Sequence, residues 1–338
     1  MTSHPEFGHD TKATEMADAF SRQIKDRTVA ITGISRGGIG GATALAFAKH
    51  DPALLILISR TQSKLDEIAA DINMMKPKIK VKCVLVDLVS QASVRHAADE
   101  VRSLTTRIDI LINNAGLTSF KRKWSPERID VQLAGNHTGP FLLTNLLMDR
   151  ILAAASASPP GSTRVINVSS GAHRMAPFRF HDYNLEGKPV PPEEVDKLAG
   201  WPEALRKPVD GYVSFHAYCQ SKTASILFTV ELNRRLYGKG VVSYSIHPGT
   251  IHTEGQRGMD PAMIAALAEP LKQSNPKPSI EEGASTTMVA ALDPGLNEIK
   301  GSSYLEDCQL NAAEPHATDA KNAEKLWTLS EDLVNQAF

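Results

Sequence analysis

The chain reads Thr28-Val29-Ala30-Ile31-Thr32-Gly33-Ile34-Ser35-Arg36-Gly37-Gly38-Ile39-Gly40-Gly41 where a short β-rich run gives way to the helical pattern Ala42–Lys49. Glycines between a strand and a helix let backbone N–H groups approach a phosphate without interference from Cβ atoms. The N-terminus of the following helix adds a partial positive charge. An ordinary tight turn would have a similar sequence, so the interpretation of this turn depends on its surroundings.

Short apolar runs alternate with helical patterns, such as Lys64–Met74 and Ser93–Leu104, along the rest of the chain. Most runs are continuously apolar, which is expected for strands that helices cover on both faces. They comprise Thr28–Thr32, Leu54–Ser59, Val81–Asp87, Ile108–Asn113, Val165–Ser169, Val241–His247 and Ser302–Leu305. This order predicts an α/β fold, a Rossmann-like doubly wound parallel sheet of about seven strands in a single domain with extended substrate loops.

Several stretches interrupt this alternation. Residues 174–211 contain six prolines, and residues 253–279 mix glycine and proline around a short helical pattern, Ala262–Leu271. Long irregular segments inside a compact domain are usually functional loops or linkers. The predicted division is an N-terminal extension at residues 1–24 that is helical from Glu15 to Ile24, the domain at 25–315 with substrate loops at 174–211 and 253–279, and a C-terminal helix at 316–338.

Composition excludes several classes of function. The 338 residues are 42% hydrophobic, and 37 basic residues balance 38 acidic ones, so the overall charge of −1 attracts neither nucleic acid nor an anionic membrane. The three cysteines are too few and too scattered for a disulfide framework, and the histidine spacing predicts no metal site. The longest apolar run, Ala53–Ile58, is too short to span a membrane. We expect a cytoplasmic protein.

The end of the second predicted strand indicates the cofactor. A carboxylate there would bind the ribose hydroxyls of NAD, but this sequence has Arg60 in Ile58-Ser59-Arg60-Thr61. A guanidinium group can hold a 2′-phosphate through a planar pair of charge-assisted hydrogen bonds. Arg36, inside the glycine-rich turn, can add a second contact. Either arginine can instead be a solvated surface charge. The sequence favours NADP(H).

Seven ordered motifs resemble those of a classical short-chain dehydrogenase/reductase, closest to retinol-dehydrogenase-like members and their fungal relatives. The resemblance covers about Arg27 to Cys308. One departure lies in the turn, where an extra residue among Ile34–Gly37 separates Gly33 from Gly38. The motifs are the glycine-rich turn, Asp87-Leu88, Asn113-Asn114-Ala115-Gly116, Asn136-His137-Thr138-Gly139, Asn167-Val168-Ser169-Ser170, Tyr218-Cys219-Gln220-Ser221-Lys222 and His247-Pro248-Gly249.

The resemblance implies which residues bind the cofactor. Asp87 would accept a hydrogen bond from the adenine amino group, and Pro248, Gly249 and Thr253 resemble the turn that contacts the nicotinamide carboxamide. The expected cofactor-binding residues are Gly33, Ser35, Arg36, Gly38, Ile39, Gly40, Arg60, Asp87, Leu88, Asn114, Ala115, Gly116, Tyr218, Lys222, Pro248, Gly249 and Thr253.

Tyr218 and Lys222 are four residues apart, so a helix places both side chains on one face. A neighbouring ammonium group favours the phenolate, and we therefore predict a lowered pKa for Tyr218. The resemblance implies that Ser170 binds the substrate oxygen while Ser169 is structural, although these two roles can be exchanged. It also implies that Asn136 holds a water that links Lys222 to solvent. The predicted catalytic residues are Ser170, Tyr218, Lys222 and Asn136.

Pro140 follows Asn136 by four residues and has no N–H group. It therefore cannot bond the Asn136 carbonyl within a helix. We predict that this carbonyl is free to hold the relay water.

The substrate is indicated by an insertion of forty-seven residues between Ser170 and Tyr218. Its aromatic residues either wall a hydrophobic pocket or hold the loop onto the domain, and the stretch Thr253–Ser279 corresponds to the family's substrate lid. These aromatic residues are Phe178, Phe180, Tyr183, Trp201, Tyr212 and Phe215.

These features predict hydride transfer between NADP(H) and a carbonyl/alcohol pair of a bulky hydrophobic molecule, retinoid-, steroid- or polyketide-like, with Tyr218 as general acid/base. A non-catalytic NADP-binding sensor or scaffold, and a reductase of C=N or C=C bonds, are the alternatives. By analogy with the family we expect a homodimer or homotetramer, paired through helices that correspond to Ile129–Leu152 and Ala217–Leu236.

Overall fold

One sheet of eight strands forms the centre of the computed structural model, which describes residues 1–251, 261–299 and 301–338. The strand order is β3-β2-β1-β4-β5-β6-β7-β8. The strands are β1 (Thr28–Thr32), β2 (Leu54–Ser59), β3 (Val81–Leu85), β4 (Ile110–Asn113), β5 (Thr163–Val168), β6 (Val241–His247), β7 (Tyr304–Glu306) and β8 (Gln309–Asn311).

The first seven strands are parallel, and β8 is antiparallel to β7. In the register, Thr32 lies opposite Ile58 and Asn113 lies opposite Asn167, so the strands end at one common edge. The direction of strand addition reverses between β1 and β4, which is where open α/β sheets place ligands. The predicted Rossmann-like parallel sheet is confirmed, with one additional short strand at its edge.

Helices cover both faces of this sheet. The α-helices are α1 (Ala13–Ala19), α2 (Ser21–Ile24), α3 (Ile39–Ala48), α4 (Gln62–Met75), α5 (Gln91–Leu104), α6 (Val131–Leu133), α7 (Gly139–Leu146), α8 (Met148–Ser156), α9 (Glu203–Arg206), α10 (Ser214–Arg235), α11 (Pro261–Gln273), α12 (Ile280–Leu292), α13 (Pro315–Thr318) and α14 (Ala320–Val334). A π-helical turn spans Ala134–Thr138, and 3₁₀ turns span Gly171–Met175, Pro192–Glu194 and Pro294–Leu296.

Strand β2 shows why the apolar runs are continuous rather than alternating. Leu55 and Leu57 are buried in one hydrophobic cluster, together with residues of α1, α3 and α12. Ile56 and Ile58 are buried in a second cluster, together with residues of α5, α7 and α10. Because successive side chains point to opposite faces, a strand covered on both sides needs apolar residues at every position.

The first 24 residues pack onto the domain. Met16 and Ile24 are fully buried among the residues that cover one face of the sheet. The backbone N–H of Ser3 donates to the Asp293 carboxylate at 2.7 Å, which fixes the start of the chain beside the 3₁₀ turn after α12. The helix begins at Ala13 rather than at the predicted Glu15, and it is interrupted at Phe20.

Candidate active site

The glycine-rich turn between β1 and α3 is too crowded for larger residues. Gly33 has φ +79°, and a Cβ atom there would lie 2.6 Å from the Ala115 Cα. Gly38 precedes the first residue of α3, and its N–H donates to the Ser35 carbonyl at 3.1 Å. This hydrogen bond closes a turn at residues 35–38, so the extra residue noted in the sequence is accommodated before the helix starts. The N-terminus of α3 therefore lies directly beside Gly33.

Asn114 holds the loop after β4 against this turn. Its Nδ2 donates to the carbonyl oxygens of Thr32 at 2.8 Å and of Gly33 at 3.2 Å. The Ala115 N–H donates to the Thr32 hydroxyl at 3.0 Å. These bonds tie the ends of two neighbouring strands together and shape the space in front of Gly33.

A cavity of about 790 Å³ runs along the carboxyl edge of the sheet, from the glycine-rich turn to Tyr218. Most of the predicted cofactor-binding residues line it. They are Gly33, Ser35, Gly38, Ile39, Arg60, Asp87, Leu88, Asn114, Ala115, Gly116, Tyr218, Lys222, Pro248 and Gly249. Thr253 lies outside the described residues, as does the start of the predicted loop at 253–279.

Two predicted cofactor residues do not reach the cavity wall. Gly40 lies in the first turn of α3, where a Cβ atom would be 2.5 Å from the Gly33 carbonyl oxygen, so its role is to let the helix approach the turn. Arg36 forms a two-pronged ion pair with Asp71 of α4, at 3.0 Å and 2.7 Å, and its side chain is 60% exposed. The structure therefore directs Arg36 away from the cavity, whereas Arg60 lies in the wall.

The two serines after β5 have different surroundings. The Ser169 hydroxyl donates to the backbone carbonyl of Lys222 at 2.7 Å, which joins the end of the strand to α10. The Ser170 hydroxyl accepts from the Ala172 N–H at 3.2 Å, and it also interacts with the Tyr218 phenol, whose pKa it acts to lower. Of the two, Ser170 is therefore the serine that meets the phenol.

Tyr218 and Lys222 lie on one face of α10, as their spacing predicts, and both contact the cavity. The Lys222 Nζ is 5.8 Å from the Tyr218 ring centroid and donates to the Val168 carbonyl at 2.9 Å. Burial lowers the pKa of Lys222 to about 8. Burial also raises the pKa of Tyr218, and the nearby Ser170 hydroxyl acts in the opposite direction. The predicted lowering of the Tyr218 pKa is wrong in this structure because burial raises that pKa by more than the Ser170 hydroxyl lowers it.

Asn136 sits in the π-helical turn before α7, behind the cavity wall. Its Nδ2 donates to the Leu117 carbonyl and the Ser221 hydroxyl, each at 3.0 Å, and its Oδ1 accepts from the Leu117 N–H at 2.8 Å. These bonds fix the loop that carries Gly116, where a Cβ atom would lie 3.3 Å from the Lys222 Nζ. Asn136 thus positions the backbone beside Lys222.

The carbonyl of Asn136 accepts a long hydrogen bond, 3.4 Å, from the Ser225 hydroxyl of α10. The π turn ends just before Pro140, which lies in the first turn of α7. The role of this carbonyl in holding a relay water stays a prediction.

Comparison with known proteins identifies the family. A family model described as short chain dehydrogenase matches residues 27–184. Retinol dehydrogenase 12 of Homo sapiens is 32% identical over 313 residues, which cover 92% of this chain and 87% of that protein. The chain belongs to the short-chain dehydrogenase/reductase family. The resemblance found in the sequence motifs is confirmed.

Fungal relatives of this dehydrogenase/reductase are similarly close. Oxidoreductase fscI of Fusarium equiseti is 35% identical over 247 residues, covering 72% of this chain and 94% of that protein. A solved structure of an uncharacterised protein from Mycobacterium Paratuberculosis has a TM-score of 0.65 at 28% identity, covering 93% of this chain and 96% of that one. The NADPH-bound carbonyl reductase from chicken fatty liver, with a TM-score of 0.56 at 19% identity and covering 86% and 100%, shares the fold.

The enzyme is accordingly a hydride-transfer oxidoreductase that uses a nicotinamide cofactor and acts on a small molecule. Within the described ranges, no helix combines the length and the hydropathy needed to cross a bilayer.

Some aromatic residues of the insertion line the cavity, and others hold the insertion onto the domain. Trp201 and Phe215 line the cavity, with ring centroids 5.8 Å apart. Phe178, Phe180 and Tyr183 instead pack in a satellite cluster with side chains of α6, α10 and α14. The Tyr212 side chain is buried away from bulk solvent and donates to Asp130. Part of the insertion therefore walls the pocket, and the rest attaches it to the domain.

The sequence did not indicate several polar residues of the cavity wall, among them Gln132, Arg174 and Glu306. Gln132 of α6 lies in the wall, and Arg174 forms an ion pair with Glu306 at 2.5 Å there. Arg174 is four residues after Ser170, a spacing that the sequence shows. Glu306 is 132 residues further along the chain, and only the order of the strands brings the two together.

Proposed function

We propose that this enzyme transfers hydride between NADP(H) and the carbonyl or alcohol group of a bulky, mainly apolar substrate, with Tyr218 as general acid/base. One observation carries the proposal. Ser170 and Tyr218 border the same cavity as the glycine-rich turn, with Lys222 in the wall between β5 and α10. A proton donor and a dinucleotide cradle thus share one space.

The residues present fit a dinucleotide. At Gly33 and Gly38 a Cβ atom would lie 2.6 Å from the neighbouring Ala115 Cα and Ser35 Oγ, so the backbone remains open for a pyrophosphate at the start of α3. Asp87 would hold the adenine, and the turn at Pro248 and Gly249 the carboxamide. Bound there, the reduced nicotinamide supplies the hydride.

Arg60 supports NADP(H) rather than NAD(H). It is exposed at the rim of the cavity, directly after β2, where a carboxylate would be needed to bind the ribose hydroxyls. A guanidinium group there can hold a phosphate with two parallel charge-assisted hydrogen bonds.

Tyr218 is suited to give a proton to the substrate oxygen during reduction. Because burial raises its pKa, the phenol carries its proton at neutral pH. Ser170 would donate a hydrogen bond to the same oxygen and polarise the carbonyl. Lys222, whose pKa of about 8 leaves it mostly charged at pH 7, lies on the same helix face and would restore the proton.

The walls beyond the catalytic residues indicate the class of substrate. Leu117, Phe120, Met175, Trp201 and Phe215 all line the cavity. Leu267 and Pro270 of α11 add further apolar surface. Pockets with such walls bind molecules through burial of apolar area, with a few polar groups setting orientation.

A turnover assay with purified protein tests the proposal. Consumption of NADPH and of NADH is followed by absorbance with retinal, a steroid ketone, decanal and the small polar aldehyde glyceraldehyde. We expect turnover with at least one apolar carbonyl and a preference for NADPH. Turnover confined to glyceraldehyde, or NADPH binding without turnover of any carbonyl, contradicts the proposal.

A further inference from the structure

Gln132 is a buried amide in the wall of the cavity. The residue is 1% exposed. Its Nε2 donates to the backbone carbonyls of Ser119 at 3.2 Å and of Ser214 at 2.9 Å, and to the Tyr212 hydroxyl at 2.9 Å. The amide therefore joins the loop after β4, the start of α10 and the insertion.

These partners fix which way the amide points. Carbonyl oxygens only accept hydrogen bonds, so the nitrogen must face Ser119 and Ser214. The Tyr212 hydroxyl donates to the Asp130 carboxylate at 2.8 Å, so it too accepts from Gln132. The reversed amide would place its oxygen against two carbonyl oxygens.

The amide oxygen of Gln132, in contrast, is buried and has no hydrogen-bond partner among the described residues. Buried polar atoms are nearly always bonded, and an orphaned one calls for an explanation. Gln132 also lines the cavity, as do Ser119 and Ser214, whose backbone carbonyls accept from its amide. The amide atom that lacks a partner is therefore an acceptor, on a residue of the cavity wall.

We propose that the Gln132 Oε1 accepts a hydrogen bond from a hydroxyl or N–H group on the substrate. The inference rests on the proposed function and names its substrate class more closely, as an apolar carbonyl compound that carries a hydrogen-bond donor away from its reacting carbon. Ser214 precedes Tyr218 by one turn of α10, roughly 6 Å along the helix axis. The donor group thus belongs to a part of the substrate beyond the carbonyl that Tyr218 serves.

Binding measurements test this without requiring turnover. Methyl ketones from 2-octanone to 2-dodecanone, each paired with its terminal-hydroxy counterpart, are titrated by calorimetry into the protein with NADP⁺ present. At one chain length, the hydroxy ketone should bind about tenfold more tightly, because only it satisfies the buried oxygen. Gln132→Met should remove that preference, so that both members of the pair bind alike.

Two further variants separate recognition from structural support. Gln132→Lys keeps a nitrogen donor for the two carbonyls but has no acceptor, and it should lose the preference as Gln132→Met does. Tyr212→Phe disturbs the same network but leaves the amide oxygen, and it should keep the preference. The inference is overturned if the wild type prefers the hydroxy ketone at no chain length, or if the preference survives both Gln132 variants. Ketones that bind but are not reduced with NADPH would contradict the proposed function alone.

Discussion

The ring Nδ1 of His173 donates a hydrogen bond to the backbone carbonyl of Ser170 across 2.7 Å. The Glu314 N–H donates to the other ring nitrogen at 3.3 Å, which fixes the tautomer. Burial lowers the pKa of His173 to about 4, so the ring is neutral at neutral pH. His173 is therefore a positioning residue, which connects the turn that carries Ser170 to the segment before α13.

Replacing His173 tests this role. We expect His173→Leu to lower kcat about tenfold with little change in the Kd for NADPH, because the Ser170 turn loses its anchor while the glycine-rich turn is untouched. His173→Asn, which can still donate through its amide, should recover part of kcat. His181→Leu serves as the control because that ring is 54% exposed and pairs with Glu194. Equal losses in both leucine variants would contradict the role.

Arg60 and Arg36 form a matched pair for cofactor selectivity. Arg60→Ala should raise the Kd for NADPH by ten- to a hundredfold and leave the weaker binding of NADH nearly unchanged, since only NADPH carries the 2′-phosphate. Arg36→Ala should change neither, because Arg36 pairs with Asp71. Fluorescence titration with both nucleotides measures the effect. Similar losses of NADPH affinity from the two substitutions would show that Arg60 makes no specific contact with the 2′-phosphate.

Gly33 and Gly187 both have positive φ, +79° and +87°, but different surroundings. Alanine at Gly187 meets nothing within 4 Å, so only the backbone strain of about 1 kcal/mol should appear. Alanine at Gly33 would also collide with the Ala115 backbone, so we expect a larger loss of unfolding free energy and loss of NADPH binding. Urea denaturation and nucleotide titration measure these quantities. Equal unfolding free energies in the two variants would contradict the collision between a Cβ atom at Gly33 and the Ala115 backbone.

His137 should make the protein sensitive to acid. Burial lowers its pKa to about 3 from 6.5, so between these values the unfolded chain binds a proton that the folded chain does not. The free energy of unfolding therefore falls as the pH drops below 6.5, by up to about 1.4 kcal/mol per pH unit from this group. His137→Phe should reduce that slope between pH 6 and pH 4, as followed by urea denaturation. His96→Phe is the control, because His96 is exposed. If His137→Phe leaves the slope unchanged, His137 is not a source of the acid sensitivity.

Much of the fold follows from the sequence because hydrophobic runs mark buried parallel strands. Thr28–Thr32, Leu54–Ser59 and Val241–His247 have the predicted ends. Strand β8 was missed because its three residues include Gln309 and Asn311, which carry no apolar pattern, and it pairs only at the sheet edge. Edge strands of this kind are defined by their partner rather than by their own composition.

For the candidate site, the sequence predicted the residues of the cavity wall better than their interactions. Motif residues such as Gly33 and Tyr218 line the cavity because each follows or faces a strand end, which the order of elements determines. The pairing of Arg36 with Asp71 depends on how α4 lies beside the turn, and no local pattern shows it. The raised pKa of Tyr218 depends on how deeply the phenol is packed, which a four-residue spacing cannot express.

Tyr218 is the proposed proton donor of the reduction. Tyr218→Phe removes the hydroxyl and little else, so the most direct measurement compares NADPH affinity and turnover in this variant and the wild type, using an apolar carbonyl that the wild type reduces. We predict that the Kd for NADPH stays within about twofold while kcat falls by at least two orders of magnitude. Turnover within tenfold of the wild type, with NADPH bound normally, would contradict the claim.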